Sequence, residues 1–507
     1  MRFGALLSSG LRAHALPLPI TASTVKRDAL RTRAQTVSSA SRAAVLGLAL
    51  PAIAGGCDGS RAPFSVEIVT PAGGDPVSGA SAGRLRVLVA QDGQPTRDQG
   101  VDLVGGTFQL DVTIASYGVP TRLGVELVRD GTTSLGAVPA FAPVGFPFVR
   151  VPVVPRGTCA SLGTQRLATP RSGAALVSID ALLLVIGGLD ASTQPATDAE
   201  RFWTPLLTST EGSATALSTE LGVGRARALR LPTTEKLVVV GTARSLVLDL
   251  SPDATTLVAD LRGLHAGVGE RSSLVELAGE GLAIVGGAVG AAGAASVSWM
   301  AIDASLDTSA LPDPRRDAAA SAWGSAQGVL VAGGNGAGAE TFLYVPVAEG
   351  ARGDVIAFGA SDDPTRVLTG GFLVRSPDGG AALYVGATDE SGAVVHDTLL
   401  VTGCPARCEV SAGPAWDDAR SGVAFAQTTS GAWLAGGRDD RGPVALVDRI
   451  TWTGSTPSFV SSSLATARED ASITPLAGGL VVIAGGRGAD RPLADLELCA
   501  PDALEPL

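Results

Sequence analysis

The residues of this chain best suited to ligate a metal or carry a radical are scarce: three histidines, three tyrosines and five cysteines among 507 residues. His265 lies in a glycine-rich stretch, RGLHAGVG, and His396 lies in VVHDTLL, where it alternates with apolar residues as a strand would place it. A turn histidine and a strand histidine are read as structural, so no catalytic residue and no metal ligand is assigned. Acidic pairs recur at Asp362-Asp363, Asp417-Asp418, Asp439-Asp440 and Glu469-Asp470. Aspartate in a turn caps its own backbone, and none of these runs has the alternating oxygen ligands and glycine of a calcium loop. The segments GGAVGAAGAAS and GGNGAGAE lack the Gly-Lys-Ser/Thr ending of a phosphate loop and open no helix. No Ser-His-Asp set with a nucleophile elbow occurs, nor any His-Glu-x-x-His. The expectation is therefore no cofactor and no enzyme chemistry.

The elements that must position any site announce themselves by repetition. An apolar run closed by glycine recurs seven times: LLLVIGG, LVVVG, LAIVGG, VLVAGG, ALYVG, AWLAGG and LVVIAGG. The closing residues are Gly187-Gly188, Gly241, Gly286-Gly287, Gly333-Gly334, Gly386, Gly436-Gly437 and Gly485-Gly486, with steps of 54, 45, 47, 53, 50 and 49 residues. An arginine stands 15 to 20 residues ahead of each: Arg171, Arg225, Arg271, Arg316, Arg366, Arg420 and Arg468. Arginine at a fixed strand-entry position is read as structural, forking onto backbone carbonyls or a carboxylate of the next repeat unit, rather than as an anion-binding ring. Ahead of the repeats, from Phe64 to Val154, apolar residues alternate strictly: Val66 and Ile68; Leu85, Val87 and Val89; Phe108, Leu110, Val112 and Ile114; Leu123, Val125 and Leu127; Val149, Val151 and Val153. Period two over short runs broken by Gly, Pro and Asp reads as antiparallel strands with one buried face, in the manner of an immunoglobulin-like sandwich.

Composition agrees with an all-β reading and excludes some partners. Gly (65) and Pro (31) are abundant, while apolar residues at 45% suffice for real cores. Lysine occurs only at Lys26 and Lys236. From Cys57 onward, 31 basic residues face 48 acidic ones, a balance of −17 that repels a polyanion, so no nucleic-acid partner is expected. The first 56 residues invert that balance, with seven basic residues and one acid, Asp28. There Lys26, Arg27, Arg31, Arg33 and Arg42 precede AAVLGLALPAIAGG, an apolar run of 14 that is too short to span a membrane. Basic flank, apolar stretch and small residues make an export signal. Its ending, Ala54-Gly55-Gly56-Cys57, resembles a bacterial lipobox, which implies cleavage before Cys57 and acylation of that cysteine. Cys57 comes late for such a signal, so the true translation start is expected downstream, with Val25 and Val37 as candidates.

The seven glycine-closed runs resemble kelch repeats, the four-stranded blades of a β-propeller. In that pattern a charged or polar turn and then a strand bearing an aromatic follow; Trp203, Trp299, Tyr344 and Trp452 supply it in four units, and the second, fifth and seventh lack it. The resemblance implies a seven-bladed propeller over 157–507, preceded by the sandwich at 58–156 and the signal at 1–57. Galactose oxidase and its relatives are also seven-bladed kelch propellers, with a copper-radical site of two His, two Tyr and a Cys. His265, His396, Tyr344 and Tyr384 match those counts. The cysteines do not, because four of them fit disulfides in an exported chain. Placed in blade frames, Cys404–Cys408 bridges neighbouring strands of one blade, and Cys159–Cys499 makes the equivalent bridge in the last blade, whose fourth strand must come from the N-terminal side. By chain entropy the short loop is worth about 2 kcal/mol and the long one about 6. A zinc site built on Cys404-x-x-x-Cys408 is the rival reading and lacks further ligands. The expected protein is a lipoprotein of the bacterial cell envelope, anchored through Cys57, whose propeller binds a protein or glycan without catalysis. The alternative is a diverged propeller enzyme of galactose-oxidase or carbohydrate-active type. A cluster of polar groups in one mouth of the axis would favour the enzyme, and an exposed apolar or aromatic loop patch the binder.

Overall fold

The computed structural model describes residues 65–507 except for 73–75, 77–81, 105–111, 113, 115–117, 144–147, 208–214, 218–224, 232–235, 242–244, 251–256, 261–271, 278–280, 290–291, 302–305, 325–327, 335–341, 349–350, 353 and 360–366. The export signal and Cys57, His265, Arg271, Arg366, Phe108, Leu110 and the Asp362-Asp363 pair therefore lie outside the described residues. Almost every regular element is a β-strand.

Residues ahead of the repeats form a five-stranded sheet, built from Ala82–Gln91, Arg97–Val104, Thr121–Arg129, Thr132–Phe141 and Val154–Pro155, and a parallel pair, Ser65–Val69 with Phe148–Pro152. Alternation sends one set of side chains into a shared core of Val66, Ile68, Leu85, Val87, Val89, Leu123, Val125, Leu127, Val149, Val151 and Val153. The polar set stays at the surface, where Arg86 pairs with Asp98 and Glu126. Because side chains alternate with period two, the sequence pattern alone selects the buried face.

Seven antiparallel sheets, each with a path of four strands, follow among the described residues; we label them I to VII. Their first strands are Ala175–Ile179, Arg227–Arg230, Ser273–Leu277, Ala319–Trp323, Thr369–Arg375, Ala424–Gln427 and Ser472–Pro475. Each of these touches the next, and the last touches the first, so that they close into a ring. The second strands are buried almost throughout, which explains their unbroken apolar runs: both faces pack against neighbouring sheets. Fully burying one such Leu, Val or Ile contributes about 1.5–3 kcal/mol. Trp203, Trp299, Tyr344 and Trp452 all stand on third strands.

Sheet VII draws three strands from the chain's end and its fourth, Cys159–Arg166, from ahead of sheet I. Cys159 and Cys499 face each other across that pairing and are joined by a disulfide that spans 340 residues. Cys404–Cys408 instead closes the turn between the third and fourth strands of sheet V, Leu399–Thr402 and Glu409–Ala412. Residues 502–507 run back across the turns of sheets VI and VII. There Glu505 accepts hydrogen bonds from Thr428 and Thr429, and Leu504 and Leu507 lie against Gly124 of the first sheet.

Candidate ligand site at the mouth of the strand ring

Glycine after the second strand is required by geometry. Gly485 and Gly486 have φ of 59° and 96°, and a Cβ on Gly485 would come within 2.5 Å of the Arg171 carbonyl in the neighbouring sheet. That close approach lets Gly486 donate its N–H to the Arg171 carbonyl at 2.9 Å, which joins sheet VII to sheet I. The same bond runs from Gly437 to Arg468, from Gly287 to Arg315 and from Gly334 to Leu368.

The residue receiving that bond occupies a slot ahead of the first strand; in sheets I, IV and VII it is a buried arginine, and in sheet VI the buried Arg420 stands at the matching place. In sheet I, Arg171 pairs with Glu200 at 2.6 Å and donates to the carbonyls of Thr169, Gly187 and Asp198. Glu200 in turn accepts the N–H groups of Ala168 and Thr169. Arg468 and Glu497 repeat this arrangement in sheet VII, with Gly485, Asp495, Ala465 and Thr466 in the matching roles. In sheet VI, Arg420 pairs with Asp448 at 2.6 Å, and Asp448 also accepts from Trp416 and Ser461. These carboxylates come from the third strand of the arginine's own sheet and not, as expected, from the next unit, because the side chain turns back along its own sheet. A buried ion pair of this kind is tolerable because further hydrogen bonds satisfy both charges.

The arginine repeat needs correction on this point. In sheet IV the slot holds Arg315, which donates to the Gly333 carbonyl at 2.6 Å, while Arg316 is its half-buried neighbour. Arg225 does not fill a slot. It lies two residues ahead of its first strand, exposed, with φ of 42°. The carboxylate partners were missed in the sequence although a signal exists. LATPR at 167–171 and LATAR at 464–468 are each followed by Asp-x-Glu, with the glutamate 29 residues after the arginine.

Arg225 belongs instead to a collar of residues that meet at one mouth of the ring. Gly173 donates its N–H to the Asp470 carbonyl, Asp470 donates to the Gly422 carbonyl, and Gly370 donates to the Asp317 carbonyl. Gly173 also lies against Arg225, its Cβ direction pointing 3.3 Å from the Arg225 Cα. Every one of these six residues has a left-handed backbone, with φ of 60° for Gly173, 67° for Gly370 and 64° for Gly422. Arg225 at 42°, Asp317 at 59° and Asp470 at 49° adopt it without being glycine. Such a conformation costs a side-chain-bearing residue about 1 kcal/mol, less for Asp than for Arg.

The charges at this mouth interact. Asp470 is held above the ordinary carboxylate range by burial, against the opposing pull of Arg225. Burial likewise pulls the Arg227 guanidinium below its ordinary range, with Asp317 opposing. Both Asp470 and Arg227 nevertheless keep exposed surface. Around the rim, Arg438 pairs with Glu469 at 3.1 Å.

Of the four residues that matched an oxidase, His265 lies outside the described residues. Tyr344 and Tyr384 are buried in one apolar cluster, and the Tyr384 hydroxyl donates to the Gly370 carbonyl at 2.9 Å. Burial raises the pKa of both phenols. His396 is not in a strand as its alternation suggested. It is exposed in the connection ahead of Leu399–Thr402, with Nδ1 3.2 Å from the Trp416 carbonyl. All four described cysteines are in disulfides, so the described residues do not fit a copper-radical centre. Among the described residues no group of three or more His, Cys, Asp or Glu is placed to hold a metal, and no helix is long and apolar enough to cross a membrane. Asp439 accepts the N–H groups of Arg441 and Gly442, the turn-capping role given to the acidic pairs, whereas Asp470 belongs to the collar. The exposed large apolar residues described, Ile356 and Val460, lie on the outer strands of sheets IV and VI and form no loop patch.

No protein-family model matches this chain, and no curated protein matches it. Solved structures similar to it include YjhT, at 11% identity and a TM-score of 0.38, covering 65% of this chain and 95% of that one. Another is a fungal alcohol oxidase of the AA5 family in complex with copper, at 16% identity and a TM-score of 0.50, covering 68% of this chain and 76% of that one. At that identity the likeness to the oxidase is one of fold: small antiparallel sheets in a β-propeller-like arrangement.

Proposed function

We propose that the seven sheets are the blades of a kelch-like propeller, set behind an immunoglobulin-like domain at 58–156, and that the ring mouth binds a polar ligand without catalysis. One observation carries this reading. Three charged residues, Arg225, Asp317 and Asp470, stand at matching places around the ring in a backbone conformation that glycine would adopt more easily. Tyr344, Tyr384 and the four described cysteines are instead spent on a core and on crosslinks. Two disulfides suit an oxidising compartment. That supports export, with Cys57 as the lipid anchor in the bacterial envelope, periplasmic or at the surface.

Thermal-shift screening of the full chain against sugars, sugar acids, amino acids and nucleotides tests the mouth. Compounds should stabilise wild type and lose their effect in Arg225→Gln/Asp470→Asn. Hits that persist in the double variant would move the site elsewhere. Intact mass of the membrane-extracted protein tests the anchor, with an acylated N-terminal Cys57 as the expected result and an unmodified one against it.

A second reading, a diverged propeller enzyme of galactose-oxidase or carbohydrate-active type, draws on the same convergence of polar groups in one mouth. Turnover of a stabilising compound, seen as product, would select it.

A further inference from the structure

We propose that Thr428, Thr429 and Ser430 form a socket for a carboxylate, that Glu505 occupies it, and that residues 502–507 thereby act as a strap holding the first five-stranded sheet onto the ring.

The socket is made of donors. Thr428, Thr429 and Ser430 are the turn between the first and second strands of sheet VI, Ala424–Gln427 and Gly431–Ala435. The Thr428 hydroxyl donates to one oxygen of Glu505 at 2.9 Å, and the Thr429 N–H donates to the other at 3.1 Å. The hydroxyls of Thr429 and Ser430 complete the set. Donors divided over both oxygens match an ionised carboxylate, which only accepts, and such charge-assisted bonds are about twice as strong as neutral ones. The hairpin closes without Glu505: its strands pair from Ala424 with Ala435 to Gln427 with Ala432, and Thr428 donates its N–H to the Gly431 carbonyl. Gln427 steadies the turn from behind by accepting the Arg375 N–H and donating to the Arg375 carbonyl in sheet V. The socket is thus preformed, and the glutamate is its occupant.

A buried cation beside the socket favours the same occupant. Arg449, on the third strand of sheet VI, is 7% exposed and pairs with Asp502. Burial pulls its guanidinium below the ordinary range, and Glu505 opposes that pull. Both carboxylates of the strap therefore meet a charge that is costly to leave unpaired.

On its other side the strap reaches the first sheet. Leu504 and Leu507 lie against Gly124, in the middle of the strand Thr121–Arg129. Gly124 is not among the residues with positive φ, and glycine inside a strand weakens it. A Cβ there would stand 3.2 Å from Leu507 and 3.4 Å from Leu504, so close approach of the strap accounts for the missing side chain. Between the two ends, Glu505 donates its N–H to the Gly478 carbonyl of sheet VII at 3.0 Å. The socket lies at the end of the sheet VI strands away from Gly422 and Gly437, so the strap leaves the collar uncovered.

The test is hydrogen exchange of the full chain at the Thr429 and Glu505 amides, resolved by mass spectrometry. Glu505→Gln sets an amide NH2 against donors, and Gly124→Val fills the place where the leucines rest while improving the strand's own propensity. Both variants should speed exchange at these two amides by about tenfold or more and leave the amides of Gly431–Ala435 as in wild type. Should Gly124→Val fail to fold, Leu504→Ser/Leu507→Ser removes the same contact from the strap's side, with the same expected result. Unchanged exchange in Glu505→Gln would refute the carboxylate socket. Faster exchange in Glu505→Gln alone, with the first-sheet variants unaffected, would refute the strap. An equal rise throughout Gly431–Ala435 would overturn the proposal as well, because residues 502–507 would then be an inseparable part of the ring's core.

Discussion

Sheets V and VII solve the same problem with opposite materials. In both, the slot residue accepts a backbone hydrogen bond from the glycine that closes the preceding sheet: Gly334 to Leu368 at 2.8 Å, and Gly437 to Arg468 at 2.7 Å. Leucine and arginine serve that bond equally, because only the carbonyl is used. What arginine adds lies inside its own sheet. It reaches the Gly485 and Asp495 carbonyls, just past the paired residues Ala484 and Leu496, and Glu497 balances its charge. In sheet V the second strand, Ala381–Thr388, runs on through Gly386. Its ladder with the first strand extends to Thr369 and Thr388, whose hydroxyls lie 2.8 Å apart. The buried ion pair thus acts within its own sheet, where it adds bonds to the Gly485 and Asp495 carbonyls, rather than joining sheets.

The crosslinks divide the same way, and they supply the largest expected effect. Cys159→Ser/Cys499→Ser should cost up to about 6 kcal/mol and Cys404→Ser/Cys408→Ser about 2, because the loops they close differ so much in length. Chemical denaturation of both pairs measures the difference. Equal losses would mean that sheet VII is held by its strand pairing and buried pair, with the crosslink redundant.

Next in size is Glu497→Ala, expected to cost about 3–5 kcal/mol by leaving Arg468 buried without its counter-charge. The double variant Glu497→Ala/Arg468→Leu copies the slot of sheet V and should recover much of that loss. If it recovers nothing, the carbonyl bonds of Arg468 outweigh its charge balance, and the contrast with Leu368 has been misread.

The smallest effect concerns the collar, where sheet VII carries Asp470 and sheet V carries Gly370. Burial raises the folded-state pKa of Asp470, so the native chain holds its proton to higher pH than the unfolded chain does. This group therefore stabilises the fold as pH drops toward the unfolded carboxylate value and loses that contribution as pH rises through its folded value. Asp470→Asn should flatten that part of the pH–stability curve and be neutral or mildly stabilising at neutral pH. An unchanged curve would show that Asp470 is solvated like a surface carboxylate.

Much of this was legible in the residues themselves. Strict alternation from Val66 to Val153 identifies a buried face, because successive side chains on a strand point to opposite sides. Seven glycine-closed apolar runs mark the second strands, because a positive φ beside a crowding carbonyl leaves glycine little competition. Those signals are local, and period and spacing suffice to read them. The arginines show where locality ends. Arg315 and Arg316 are adjacent, yet only Arg315 enters the slot, since one residue along an extended chain turns the side chain to the other face. Arg225 kept the spacing of a slot arginine and became a collar residue two places on. Glu200 and Glu497 were recoverable in principle from the shared Leu-Ala-Thr-x-Arg and Asp-x-Glu segments. By contrast, the matching places of Arg225, Asp317 and Asp470 around the ring left no such trace. These residues stand in three different sheets, and only closure of the ring brings them to one mouth. The sequence by itself determined which residues turn, alternate and are buried, because those are properties of single strands. The tertiary structure alone decided which charges meet, because that depends on the closure of sheets whose members lie far apart along the chain.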